Sequence, residues 1–186
     1  MGVKAPQFSF SRLKGADPVL GVEMASTGDV ACLGEDAEEA FLKAVMASGV
    51  HPPKKGIIIS LGGEENKRRF RPAVPYLARL GVTVYATERT GQLLRDEGIR
   101  ARYVPRIDES MQSNMLTLIR SGAVDLVINV PEGNPKSYYI DSYQVRRTAT
   151  DFCIPVITNV QLAAMLLYSL AKKPLESLAI KSLQEY

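Results

Sequence analysis

From Gly56 onward the chain repeats one pattern: an apolar run of strand length, then a stretch of helical periodicity. That alternation is what a parallel α/β sheet requires. The apolar runs fall at 57–61, 82–86, 101–104, 124–130 and 154–158, and helices are predicted between them at 66–80, 90–97, 110–121 and 141–152. A last helix is predicted at 160–172, and the tail after Pro174 fits a further short amphipathic helix. The cores III, VTVYA, VDLVINV and IPVIT are apolar almost throughout, as strands covered on both faces are. The prediction is a doubly wound, three-layer sandwich around five mostly parallel strands.

Upstream of this unit the pattern changes. Residues 1–34 carry short alternating patches such as Phe8, Ser9 and Phe10, with turn signals at Gly15, Asp17 and Pro18. They fit extended strands that need a partner rather than an autonomous domain. Residues 35–46 read as one helix, with acidic side chains in the first turn and Ala40, Phe41, Ala44 and Val45 on one apolar face. Gly49 ends it, and the following HPPKKG cannot continue it, because each proline lacks a donor and clashes with the preceding turn. The expected division is therefore 1–53 and 54–186.

Composition narrows the function. A net charge of +3, from 23 basic against 20 acidic side chains in 186 residues, is too small and dispersed to argue for a nucleic-acid partner. The two cysteines, Cys32 and Cys153, lie far apart, with neither C-x-x-C spacing nor a histidine neighbour, so neither a disulfide framework nor a zinc site is expected. The first residues lack the pattern of a secretory signal, and the apolar stretch at 162–171 is interrupted by Tyr168 and Ser169, well short of the ~20 residues of a membrane span. The expected setting is the cytoplasm.

In an open parallel sheet ligands bind beyond the carboxyl ends of the strands. The first strand ends in LGGEENK, where Gly62 and Gly63 allow close backbone approach and Lys67 can reach an anion from its helix. The alternative is a tight turn, with Lys67, Arg68 and Arg69 on a solvated face. The second strand ends in Thr87, with Thr90 at a helix start, two hydroxyls able to donate to a phosphate or carboxylate, or in the case of Thr90 simply to cap its helix. The third strand brings Arg106 to the same rim and the fourth ends in Asn129, whose amide meets either a loop or a ligand. Arg146 and Arg147, beside an inward face of Val145, Ala149 and Phe152, read as solvated, or else as a contact to another domain. Tyr138, Tyr139 and Tyr143 either stack on a ligand or cover the sheet edge.

Two strings carry a family resemblance. EMASTGDVACLG at 23–34, with Glu23, Met24, Ser26, Thr27, Gly28, Asp29 and Val30, and then Ala40, Phe41, Lys43 and Ala44, resemble the end of the carbamoyl-phosphate-making ATP-grasp half of carbamoyl-phosphate synthase, large subunit. Residues 54 to about 172 resemble the methylglyoxal-synthase-like domain that follows it and serves that enzyme as its regulatory domain. The resemblance implies that Thr87, Thr90, Arg106 and Asn129, completed by Ser60 and Lys67, line the phosphate and ribose site of a nucleotide effector. It further implies a small-molecule effector (UMP, IMP, ornithine or N-acetylglutamate), the rest of the large chain and a glutaminase small subunit as partners, and possible homo-oligomers. ATP and Mg or Mn would be cofactors of the parent enzyme, with none in this part of it. Arg106 keeps the positive charge of the bacterial lysine where animal enzymes that respond to N-acetylglutamate have tryptophan. Glu132 and Ser142 stand where those enzymes have asparagines.

Two other classes of function compete. A free-standing lyase acting on a triose phosphate, as methylglyoxal synthase does, needs an aspartate loop after the fourth strand; here the segment is VPEGNPKSYY, with only Glu132 to substitute. His51, the only histidine, lies in the proline-rich linker. A subunit-holding module would bind no small molecule at all.

Overall fold

The computed structural model describes residues 1–19, 26–107, 109, 113–132 and 139–185. Glu23 and Met24, the expected helix start at 110–112, the loop at Gly133 and Asn134, and Tyr138 lie outside the described residues, as does the side chain of Tyr139.

Among the described residues seven strands form two sheets. β1 (Gly2–Gln7) and β2 (Gly28–Leu33) make an antiparallel ribbon, and β3 (Gly56–Leu61), β4 (Thr83–Ala86), β5 (Ala101–Tyr103), β6 (Leu126–Val130) and β7 (Val156–Ile157) make a five-stranded sheet in the order β5-β4-β3-β6-β7. All four pairings in the larger sheet are parallel. The five expected strands are all present; β3 gains Gly56, and the other four are trimmed to residues that keep a ladder partner.

The helices follow the same order: α1 (Ala37–Ala47), α2 (Glu64–Phe70), α3 (Val74–Leu77), α4 (Glu88–Asp96), α5 (Met115–Arg120), α6 (Tyr139–Asp151) and α7 (Val160–Lys172). α7 has the predicted bounds, opened by Asn159, whose Oδ1 accepts the Leu162 N–H. The single helix expected at 66–80 is instead broken into α2, a 3₁₀ turn at Arg71–Ala73, α3 and a 3₁₀ turn at Ala78–Leu80. Pro72 and Pro75 are the cause, since each sits at a first-turn position and removes a helical donor, so a new short element starts at each. α4 begins two residues before the predicted Thr90.

Period-two alternation assigns the layers. Ile57 and Ile59 of β3, with Leu126 and Ile128 of β6, join one core cluster with Leu42 of α1, Phe70 of α2, Leu94 of α4 and Leu167 of α7. Ile58 and Val127 face the other way, into a smaller core with Met115 and Ile119 of α5 and Val145 and Ala149 of α6. All three isoleucines are fully buried, each worth about 1.5–3 kcal/mol on transfer from water. This is why the strand reads as an unbroken apolar run at 57–59. Asp125 fixes where β3 begins, its carboxylate accepting the backbone N–H groups of Lys54, Lys55 and Gly56.

The ribbon finds its partner within the chain: β1 and β2 pair with each other and rest on α1. Gly34 allows the close approach, because a Cβ there would meet the Ala40 nitrogen at 2.4 Å. α1 in turn is tied to the end of α7 and the residue after it by Glu38–Lys172 at 2.5 Å and Asp36–Lys173 at 2.6 Å.

These ion pairs predict a pH dependence. Hydrogen bonds from Lys172, Lys173 and Lys43 hold the carboxyls of Glu38, Asp36 and Glu39 below their usual 4.5, 3.8 and 4.5. Depressed folded-state values mean that the unfolded chain binds more protons. The contribution is therefore complete above about pH 4.5 and is lost as pH falls through the lower folded values. Urea unfolding from pH 7 to 3 should show a midpoint that drops below pH 4.5, less steeply in Glu38→Gln.

Candidate functional site

The strand order reverses direction at β3. From it the chain steps outward through β4 to β5, then returns to place β6 on its other side. Such a switch point leaves a crevice outside the carboxyl ends of the two central strands. A cavity of about 320 Å³ opens there, between the ends of β3 (Ser60, Leu61, Gly62) and β6 (Val130, Pro131, Glu132), with α6 along one wall.

Two loops are pinned to form its edge. The Gly62 N–H donates to the Val130 carbonyl at 2.8 Å, and Asn66 Nδ2 donates to the carbonyls of Gly62 (2.8 Å) and Pro131 (3.1 Å). A Cβ on Gly62 would meet the Glu132 nitrogen at 2.6 Å, and Gly63 holds φ +74°, so both positions require glycine. Asn66 is a residue that pattern reasoning missed, since a polar residue in a first helical turn carries no distinctive signal.

Of the six predicted site residues, four line the cavity: Ser60, Lys67, Thr87 and Arg106. Lys67 is 8% exposed with Nζ 2.6 Å from Glu64, so the solvated-face alternative fails for it and holds only for Arg68 and Arg69, which pair with exposed Glu65. The same lysine, by donating to Glu64, holds that carboxyl below its usual range. Thr87 occupies the position before the first turn of α4, makes no cap bond, and donates to Thr90 Oγ1 at 3.4 Å. Arg106 reaches Asp141 of α6 at 3.5 Å.

Thr90 and Asn129 do not line the cavity; they lie behind it. Thr90 is fully buried and accepts the Leu61 N–H at 3.0 Å, so it pins the end of β3 rather than capping its own helix. Asn129 is paired in register with Ser60 and faces the α6 side of the sheet, where its Oδ1 accepts from Arg146 Nη1 at 2.8 Å.

Arg146 corrects the sequence reading. It is not solvated but 2% exposed; it lines the cavity, and its Nε and Nη2 donate to the two oxygens of Asp17 at 2.7 and 2.5 Å. Arg147 is also buried, with Nη1 shared among the carbonyls of Phe10, Leu13 and Ala16 and its remaining donors on Asp151. Residues 10–17 cover this side of α6, which the pattern of α6 alone could not disclose. Tyr143 joins them, donating to the Gly15 carbonyl at 2.9 Å, and it does not line the cavity. Phe152, expected inward, is 51% exposed because α6 has already ended at Asp151.

The charge is layered. Lys67 and Arg146 sit in the floor and walls, with half-buried Asp141 beside Arg106, while Glu64, Glu88, Arg89, Glu109 and Glu132 are exposed around the mouth. Glu109 is held at the rim by accepting from the Arg106 N–H and from the Tyr103 hydroxyl, whose own ionisation is pushed upward by that bond. This arrangement electrostatically favours negative charge at the floor over negative charge at the mouth.

A five-stranded parallel sheet with this switch point and this polar crevice is of the class of the MGS-like domain, whose family model matches residues 71–158. The chain is 42% identical over 180 residues to "Multifunctional protein pyr-3" of Neurospora crassa, covering 92% of this chain and 10% of that protein. It is 39% identical over 181 residues to "Multifunctional protein URA2" of Saccharomyces cerevisiae, covering 92% and 8%. To "Carbamoyl-phosphate synthase [ammonia], mitochondrial" of Homo sapiens it is 41% identical over 169 residues, covering 89% and 11%. The chain belongs to the carbamoyl-phosphate synthase family, as the part that carries the MGS-like domain. It spans about a tenth of the length of the curated relatives it matches. Among the described residues no helix is long and apolar enough to cross a membrane.

If Thr90 acts as scaffold, Thr90→Val, which keeps the shape and orphans the Leu61 N–H, should cost about 1–3 kcal/mol in urea unfolding. A ligand-contact role alone would leave the midpoint unchanged.

Proposed function

We propose that this chain is the regulatory, effector-binding part of a carbamoyl-phosphate synthase large chain, acting with the remainder of that chain and a glutaminase subunit in the cytoplasm. The parent enzyme would make carbamoyl phosphate from bicarbonate, glutamine-derived ammonia and two ATP, for arginine and pyrimidine biosynthesis. The observation that carries the reading is the pair of buried cations, Lys67 and Arg146, set beside the hydroxyls of Ser60 and Thr87 at the switch point. Each is ion-paired, Lys67 with Glu64 and Arg146 with Asp17, and buried cations that keep further N–H donors in a crevice favour a small anionic ligand.

The layered charge orders the candidates. A nucleoside monophosphate would place its phosphate on the floor and its ribose and base toward the mouth. Ornithine would place its carboxylate on the floor and its ammonium groups near Glu88, Glu109 and Glu132. N-acetylglutamate carries a second carboxylate, which the acidic mouth opposes. Effector coupling of this kind is commonly worth about 1–3 kcal/mol, a five- to 150-fold modulation of the parent enzyme rather than an absolute switch. Turnover by the chain itself is expected to be nil.

Calorimetric titration with UMP, IMP, ornithine and N-acetylglutamate tests this. At least one should bind saturably, and Lys67→Gln should weaken that binding by roughly ten- to 150-fold, the loss of one charge-assisted hydrogen bond of about 1.5–3 kcal/mol. Absence of saturable heat with all four contradicts the proposal.

A further inference from the structure

Arg146 belongs to two places at once. Its guanidinium lines the cavity, and it also holds Asp17, which lies in the segment leading away from the β1–β2 ribbon. That segment is fastened to α6 by three side chains within about one helical turn, Tyr143, Arg146 and Arg147. Tyr143 holds the Gly15 carbonyl, Arg147 holds the carbonyls of Phe10, Leu13 and Ala16, and Arg146 holds Asp17. Neither Tyr143 nor Arg147 lines the cavity.

A guanidinium has five N–H donors, and it cannot lose its charge. Three donors of Arg146 are engaged, Nε and one on Nη2 with Asp17 and one on Nη1 with Asn129. One hydrogen on each terminal nitrogen remains beyond those three bonds. An anion entering the cavity therefore meets a cation already neutralised by a carboxylate. Two anions on one nearly buried guanidinium repel each other through a poorly screened medium.

We propose that Arg146 couples the cavity to the N-terminal segment by anion competition: an anionic ligand in the cavity weakens the hold of Arg146 on Asp17 and loosens residues 10–17 from α6. The proposal rests on the effector-site reading and supplies its direction of transmission. Arg147 and Tyr143 keep the segment attached, so the response is a local loosening and not release. Reciprocity then sets the second expectation, since whatever factor the ligand costs Asp17, Asp17 costs the ligand.

Hydrogen exchange on the full chain tests it, with UMP and with N-acetylglutamate as probes, each at a concentration that calorimetry shows to saturate. The informative amides are those of Arg12, Leu13 and Ala16, which donate to the carbonyls of Ser9, Phe10 and Leu13. They should exchange about five-fold faster or more with probe bound, the lower end of ordinary allosteric coupling. Asp17→Asn should bind the same probe about five-fold tighter and show no probe-dependent change at these amides. If a probe binds and slows or protects the Leu61 and Gly62 amides, yet leaves the 12–16 amides unchanged or slower, the competition is refuted while the effector site stands. If neither probe binds while IMP or ornithine does, that ligand takes the probe's place in the same comparison; if none of the four binds either protein, both readings fall. Should Asp17→Asn not fold, the comparison on the unaltered chain decides alone.

Discussion

A guanidinium taken almost wholly out of water cannot discharge itself, so the molecule must bring counter-charge to it, and this requirement organises the region around Arg146. Asp17 arrives from far upstream in the chain, and Asn129 arrives from the end of β6. Pairs of this kind add little net stability compared with an apolar substitute, but losing one partner is costly. Their effect is to select one arrangement: the segment at 10–17 laid along α6, α6 laid along the sheet, and the cavity between them closed on one side.

The sheet supplies the other half of the design. β3 and β6 are buried on both faces, and their odd and even residues feed two separate cores. That rigidity matters at the carboxyl ends, where the pleat decides which side chain faces which layer. Ser60 and Asn129 fall on the α6 side, while Leu61 turns to the opposite core and gives its N–H to Thr90. Cavity polarity is thus inherited from strand register. Slipping β6 by one residue would turn Asn129 into the opposite core and face Arg146 with an aliphatic side chain.

Much of this was legible in the residues. Four strands could be placed because buried parallel strands are apolar almost throughout, the edge strand β5 by its place in the alternation, and α7 because Asn159 and Pro174 bracket it. Lys67, Thr87 and Arg106 were found by asking only what stands beyond strand ends, and Ser60 was added by the family resemblance alone. What failed was anything decided by a distant segment. Arg146 and Arg147 look like a solvated face until residues 10–17 cover it. One clue was available, since Arg146 lies four residues after Ser142, on the same helical face and lining the same cavity. The break at 71–80 was also readable, because Pro72 and Pro75 each remove a helical donor. The ribbon's pairing was not readable, because edge strands with a weak alternation specify no particular partner.

The account makes one buried arginine common to the cavity, the sheet and the N-terminal segment, and the side-chain ¹⁵N resonance of Arg146 reports on all three. Titration of labelled chain with the ligand that binds most tightly should move the Arg146 Nε–H signal saturably, in step with the Leu61 amide, because a new anion near the guanidinium alters its bond to Asp17. Saturable binding that shifts other resonances while the Arg146 Nε–H signal stays fixed would contradict the account.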